Sequence, residues 1–334
     1  MTPGLYTVDE VSAMIREGKK LLLAGETKLL SQLPKGDWIG GTIPYFILYP
    51  WRRIESFDKL FVSCLPDIVD KVEICEYDSS SIRRIYCDAP QNGFTALIIP
   101  FENPVYSEYA SNATEYEKFA CFPVCGWVAQ QHLEDTQQKP YACSGQSGVL
   151  RSDQAVAMHI SLPANKYAEM HIINPLDRGS GDIITFDSCK RIVKDAVING
   201  EKQNFAAYLR RTKREKIVDI GNMPLVADYS GVLVNTSCAE IMDDTVRLSA
   251  SVFEHIEYRF AERRTVFSEP EITHQNMVFS CICMSHYLFP DLLNGKLAEA
   301  VNGPAVFGEI AYQLTNQSIV YVTIGDVSPK TEIL

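Results

Sequence analysis

The sequence predicts a mixed α/β protein of two related-looking domains, residues 1–215 and 216–334, with mixed sheets flanked by helices. Three observations carry that expectation. A chain of 334 residues that is 46% hydrophobic exceeds the size at which single cores usually stop growing. Short apolar runs of strand length, such as residues 94–99, alternate with stretches whose apolar residues recur every three or four positions. Past Lys216 the strand pattern starts again, so the second domain is expected to begin there.

The elements follow in order. Thr7-Val8-Asp9-Glu10 has the form of a capping box, with Val11, Met14 and Ile15 at helical spacing behind it, and predicts a helix over 8–18. Residues 21–25 read as a buried strand, followed by a short helix that stops before Pro34 and Gly36. Strands are expected at 38–43, 59–64 and 94–99, and helices through 79–86 and 102–119. Residues 155–160 and 167–173, separated by Leu162-Pro163-Ala164-Asn165, have the pattern of a hairpin. A strand at 183–186 precedes helices at 188–198 and 201–211. Strands are expected at 225–227, 231–236 and 246–253, then a helix from Thr273 and a last strand at 318–324.

Composition excludes several functions. A net charge of -11, from 31 Lys+Arg against 42 Asp+Glu, repels phosphate backbones, so no nucleic-acid partner is expected. The basic run from Arg210 to Lys216 follows Phe205, Ala206 and Leu209 and reads as a helix terminus, where cations complement the dipole. The start lacks an apolar stretch behind a basic flank, and no run approaches the roughly 20 residues of a membrane-spanning helix. A cytoplasmic protein without membrane partners is the expectation. Ten cysteines spread through the chain are expected to be reduced thiols. Neither tight pair, Cys121/Cys125 or Cys281/Cys283, has a histidine at zinc-site spacing, so no metal and no cofactor is expected.

The densest constellation of chemistry-bearing residues is C-terminal. Phe279-Ser280-Cys281 is followed by Phe307-Gly308-Glu309-Ile310 and then by Asn316-Gln317-Ser318 leading into an apolar strand. This ordered series resembles the C-terminal part of FIST domains, and Trp38 to Pro44 resembles an element near that family's N-terminus. The resemblance covers about 220–325 most closely. It departs at Ser318, where Thr is usual, and at Cys283-Met284, where a Gly-Arg pair often follows; the arginine that would meet an anion is missing. The resemblance implies intracellular signal sensing through a small ligand such as an amino acid or small organic acid. No kinase, receiver or methyl-accepting segment accompanies it, so output is expected through a separate signalling protein.

The residues themselves allow a site at a domain interface. Gly40, Gly41 and Thr42 would form a glycine-rich turn whose amides meet an anion. Glu309 would hold an ammonium and Asn316 a polar edge, with Ser280 and Cys281 alongside. The structural alternative is that Gly308 permits a turn and that Glu309, Asn316 and Gln317 satisfy local backbone groups. A second function is a hydrolase or transferase with Cys281 or Ser280 as nucleophile and His286 or His274 as base. It requires a base within hydrogen-bond reach and oxyanion donors nearby.

Overall fold

The protein is described by a computed structural model, which defines residues 2–135, 137–212, 224–229, 231–263, 276–288 and 301–327. It has mixed α+β content in which strand far outweighs helix. Three six-stranded sheets form a main body, and a seven-stranded and a three-stranded sheet form a unit inserted between residues 174 and 263.

The first sheet is built on the parallel pair Leu21–Gly25 and Trp38–Thr42, flanked by Leu60–Cys64 and Ala142–Ser144. Helices α1 (Val8–Arg16) and α2 (Thr27–Leu30) cover its outer face, packing Val11, Met14, Ile15 and Leu30 on Leu21, Leu23 and Trp38. The expected capping box is present: Thr7 N donates to Glu10 Oε2 at 2.8 Å and Glu10 N donates to Thr7 Oγ1 at 3.3 Å.

The second sheet centres on Gly93–Pro100, parallel to Val124–Ala129 and antiparallel to Ala155–Ser161. Side chains on Gly93–Pro100 alternate between two cores. Phe94, Ala96 and Ile98 enter the core shared by all three large sheets, while Leu97 and Ile99 pack beneath helix α3 (Pro104–Asn112). Both faces are covered, which is why the strand reads as an unbroken apolar run. The third sheet runs from Lys166–Ile173 through Ile319–Asp326, Met277–Cys283 and Gly303–Val306 to Tyr45–Leu48. Helix α5 (Met284–Leu288) follows directly on the Met277–Cys283 strand. The inserted unit encloses its own core around Phe186, Phe205, Tyr208 and Tyr258, with helix α4 (Phe205–Arg211) on one side.

Several expectations are corrected. The strands at 155–161 and 166–173 do not form a hairpin. Ala155–Ser161 pairs with Lys71–Tyr77 and Gly93–Pro100 in one sheet, and Lys166–Ile173 with Ile319–Asp326 in another. Residues 162–165 carry the chain from one sheet to another, and Leu162 is held by Asn92, whose carbonyl accepts from Leu162 N and whose Nδ2 donates to Leu162 O, both at 3.0 Å. The helix expected at 188–198 is two strands, Ile192–Val193 and Asp195–Ile198, whose β-branched residues pair with Val246–Leu248 and Ile184–Thr185. Residues 201–204 are strand, and the helix starts only at Phe205, capped by Asn204. The 79–86 helix contracts to a single 3₁₀ turn at Ile82–Arg84, and the 102–119 helix to α3 with one further turn. Thr273 lies outside the described residues, and Met277–Cys283 is strand. Strands from both sides of residue 215 share sheets: Gly303–Val306 pairs with Tyr45–Leu48, and Glu309–Ala311 with Val124–Ala129. The stretches 1–215 and 216–334 are therefore interleaved in space.

Candidate functional site

A cleft of about 650 Å³ opens at the carboxyl ends of the parallel pair Gly93–Pro100 and Val124–Ala129. Parallel strands deliver their following loops to the same edge, which is where open α/β sheets commonly seat ligands. After Pro100 the chain passes Phe101, Glu102 and Asn103 before entering α3, with Pro104 preset for the first helical turn. Asn103 Oδ1 accepts from Tyr106 N at 2.7 Å, and its Nδ2 donates to Ser152 O at 3.0 Å. One side chain thus caps α3 and fastens the opposite wall. Glu102 takes a φ of 51°, a left-handed conformation unusual for a residue with a side chain.

After Ala129, Gln130 N donates to Thr42 O at 2.8 Å and so joins this edge to the first sheet. Gln131 is buried and its Nε2 donates to Thr27 Oγ1 at 2.9 Å and Lys139 O at 2.8 Å, which anchors both ends of the 131–139 loop. His132 stacks on Tyr45 with ring centroids 5.5 Å apart. Its Nδ1 accepts from Glu134 N at 3.2 Å, so a neutral ring carries its proton on Nε2, 3.8 Å from Glu55 Oε2. The lining combines aromatic floor (Phe101, Phe307), acids (Glu102, Asp135, Asp153), amides (Asn103, Gln130, Gln137, Gln138) and one lysine, Lys139. Such a surface can meet an ammonium and a carboxylate together, with amides fixing orientation.

None of the predicted site residues among the described residues lines this cleft. Gly40, Gly41 and Thr42 lie within the Trp38–Thr42 strand, where neighbouring strands on both sides occupy the ladder; the expected turn with free amides is corrected. Gly41 serves packing instead: a Cβ there would sit 2.6 Å from Ile98 Cγ2 and 3.0 Å from Trp127 Nε1. Thr42 is tied to one lining residue, its carbonyl accepting from Gln130 N. Ser280 Oγ donates to Asn302 O at 3.0 Å and accepts from Asn302 N at 3.2 Å, bracing two strands of the third sheet.

Cys281 and Glu309 do meet, together with Cys283 and Ser318, in the interior. Cys281 is fully buried with Sγ 3.5 Å from Gly126 O; burial, and then the neighbouring Glu309, push its thiol well above the ordinary range. This opposes the thiolate that a nucleophile needs. His286 is also wholly buried, and burial lowers its pKa to about 4 against a smaller opposing pull from the Gln317 backbone. Neither of its ring nitrogens makes a side-chain hydrogen bond among the described residues, so it does not serve Ser280 or Cys281 as a base. His274, the other base considered, lies outside the described residues.

Glu309 sits opposite Trp127 across paired strands. Its Oε2 accepts from Ser318 Oγ at 3.0 Å and Ser318 N at 3.4 Å, while Oε1 has no partner among the described residues. Burial raises the carboxyl to about 8, against smaller lowering by Ser318 and Cys283. Asn316 leaves this group and accepts from Ser249 Oγ of the inserted unit.

The cleft residues were accessible to sequence reasoning only in part. An Asn-Pro helix start directly behind the apolar 94–100 run is a visible signal for Asn103. Nothing in the spacing of Gln130, His132 and Lys139 announces that their loop folds over the same edge. No curated protein and no solved structure matches the chain. A family model does match, over residues 6–325, and on that near-complete coverage the chain belongs to the family of unknown function DUF6976.

Proposed function

We propose that the chain is a cytoplasmic, small-ligand-binding sensory protein of the FIST type, whose ligand, an amino acid or small organic acid, seats in the cleft above α3 and whose signal passes to a separate signalling protein. The observation that carries this reading is the cleft's position at the carboxyl ends of two parallel strands, beside a capped helix N-terminus. The lining supports a zwitterion: Lys139 for a carboxylate, Asp153 and Glu102 for an ammonium, and Gln130 and Asn103 for the polar edge. Its volume lies within the range typical of small-molecule sites.

A thermal-shift screen of the intact chain against amino acids and small organic acids tests the reading, because a ligand held only by the folded state raises the melting temperature by mass action. A saturable hit is expected, weakened roughly tenfold by Lys139→Ala if its carboxylate is met there, and similarly by Asp153→Ala for its ammonium. No stabilising compound, or a hit indifferent to both substitutions, would remove the cleft from consideration.

A further inference from the structure

Residues 315–318 form a buried turn that faces two ways. Thr315 and Ser318 face the main body: Thr315 Oγ1 contacts Ser318 Oγ at 3.0 Å and Glu309 O at 3.4 Å, and Ser318 gives both its amide and its hydroxyl to Glu309 Oε2. Asn316 and Gln317 face the inserted unit: Asn316 Oδ1 accepts from Ser249 Oγ, and Gln317 O accepts from Asn235 Nδ2 at 3.4 Å. Gln317 holds a φ of 52°, a left-handed conformation that a residue with a side chain keeps only where its surroundings impose it. On the far side, Ser249 Oγ accepts from Ser237 N at 2.8 Å, and Ala250 N donates to Thr236 Oγ1 at 3.2 Å. A shift at Ser318 therefore reaches residues 235–250 through two adjacent residues of one strained turn.

The main-body end of this connection is a carboxyl with no cation against it among the described residues. Its surroundings are the thiols of Cys281 and Cys283, with Cys125 behind Cys281 and neutral His286 beside the Gln317 backbone. Ser318 gives two donors to Oε2, the Cys283 thiol adjoins the carboxyl, and Oε1 has no partner among the described residues. In this closed interior burial favours the neutral carboxyl by more than the two Ser318 donors favour the charged one. We propose that the 315–318 turn couples the charge state of Glu309 to the docking of the inserted unit on the main body. Ionisation of Glu309 draws in water at the turn and loosens Asn316 and Gln317 from Ser249 and Asn235. A second contact leads to the cleft: Arg191 lies over the Tyr106 ring at 4.9 Å and Ser251 Oγ donates to the last carbonyls of α3. The coupling goes beyond the ligand reading and holds whether or not the cleft binds anything.

Hydrogen exchange followed by mass spectrometry on the full chain from pH 6.5 to 9, with rates converted to protection factors, tests it. The turn peptide around Ser318 and the peptides carrying Ser237 and Ala250 should lose protection together, about tenfold or more, with one shared midpoint. Glu309→Gln, which holds the neutral form, should keep both regions protected across the range. A response retained in Glu309→Gln overturns the proposal. Should that variant fail to fold, the wild-type chain decides alone: unequal midpoints, or a turn that responds while the Ser237 and Ala250 peptides do not, overturn it equally.

Discussion

Glu309 and His286 are both buried, yet they make opposite demands on pH. The Glu309 carboxyl is raised to about 8, so the folded chain holds a proton there that the unfolded chain releases near its ordinary value. Its contribution to stability is complete below the unfolded pKa and is lost as pH rises through 8. His286 is lowered to about 4; its contribution is present above the unfolded value of about 6.5 and is lost as pH falls toward 4. Urea unfolding across pH 4–9 should therefore show Glu309→Gln flattening the alkaline limb and His286→Phe the acid limb. Equal slopes in variant and wild type would place the pH dependence elsewhere. A third residue-scale test concerns Gly126, whose φ of 150° sets an added Cβ 1.8 Å from Leu97 O. Gly126→Ala forces the parallel Gly93–Pro100 and Val124–Ala129 pair apart, and the expected loss in denaturant midpoint corresponds to about 2–3 kcal/mol or more.

At the scale of elements, α3 does three things with one short sequence. Its apolar face, Val105, Tyr106, Tyr109 and Ala110, packs on the second sheet; its N-terminus bounds the cleft; and its far end receives Ser251. Asn103 fixes the first two by capping the helix and holding Ser152. Asn103→Ala should cost about 1 kcal/mol in stability from the lost cap. Asn103→Asp retains the cap acceptor while losing the amide donor to Ser152. If the cleft depends on that tie, ligand stabilisation falls in both variants although stability falls mainly in the first. A thermal-shift titration of the two beside an unfolding curve separates these effects. The neighbouring strands were easier to anticipate than the helix length. Tyr106, Tyr109, Tyr116 and Phe119 keep helical spacing to 119, yet the helix proper ends at Asn112, because Tyr116 reaches extended backbone to pack beside Tyr86.

For the molecule as a whole, the inserted unit is the feature that links the two sites. It leaves the main body after Lys166–Ile173, closes its own core, and returns before Met277–Cys283. It touches the main body at α3 and at the 315–318 turn, so the proposed ligand cleft and the proposed Glu309 coupling border the same interface. No helix among the described residues is long and apolar enough to cross a membrane.

What the amino-acid sequence determined by itself was local: the Thr7 capping box, the apolar runs that became buried strands, and the mixed α/β character. Each depends on residues a few positions apart, where spacing and propensity act directly. Site assembly required the tertiary structure. Gly40 to Thr42 resembled a loop in composition, yet neighbouring strands captured their amides. Residues 162–165 resembled a hairpin turn, yet the flanking strands belong to different sheets. Cys281 and Glu309 meet only because the Glu309–Ala311 strand pairs with Val124–Ala129, far away in the chain. Strand pairing joins residues by shared apolar faces and ladder bonds, and those choices are made among distant partners.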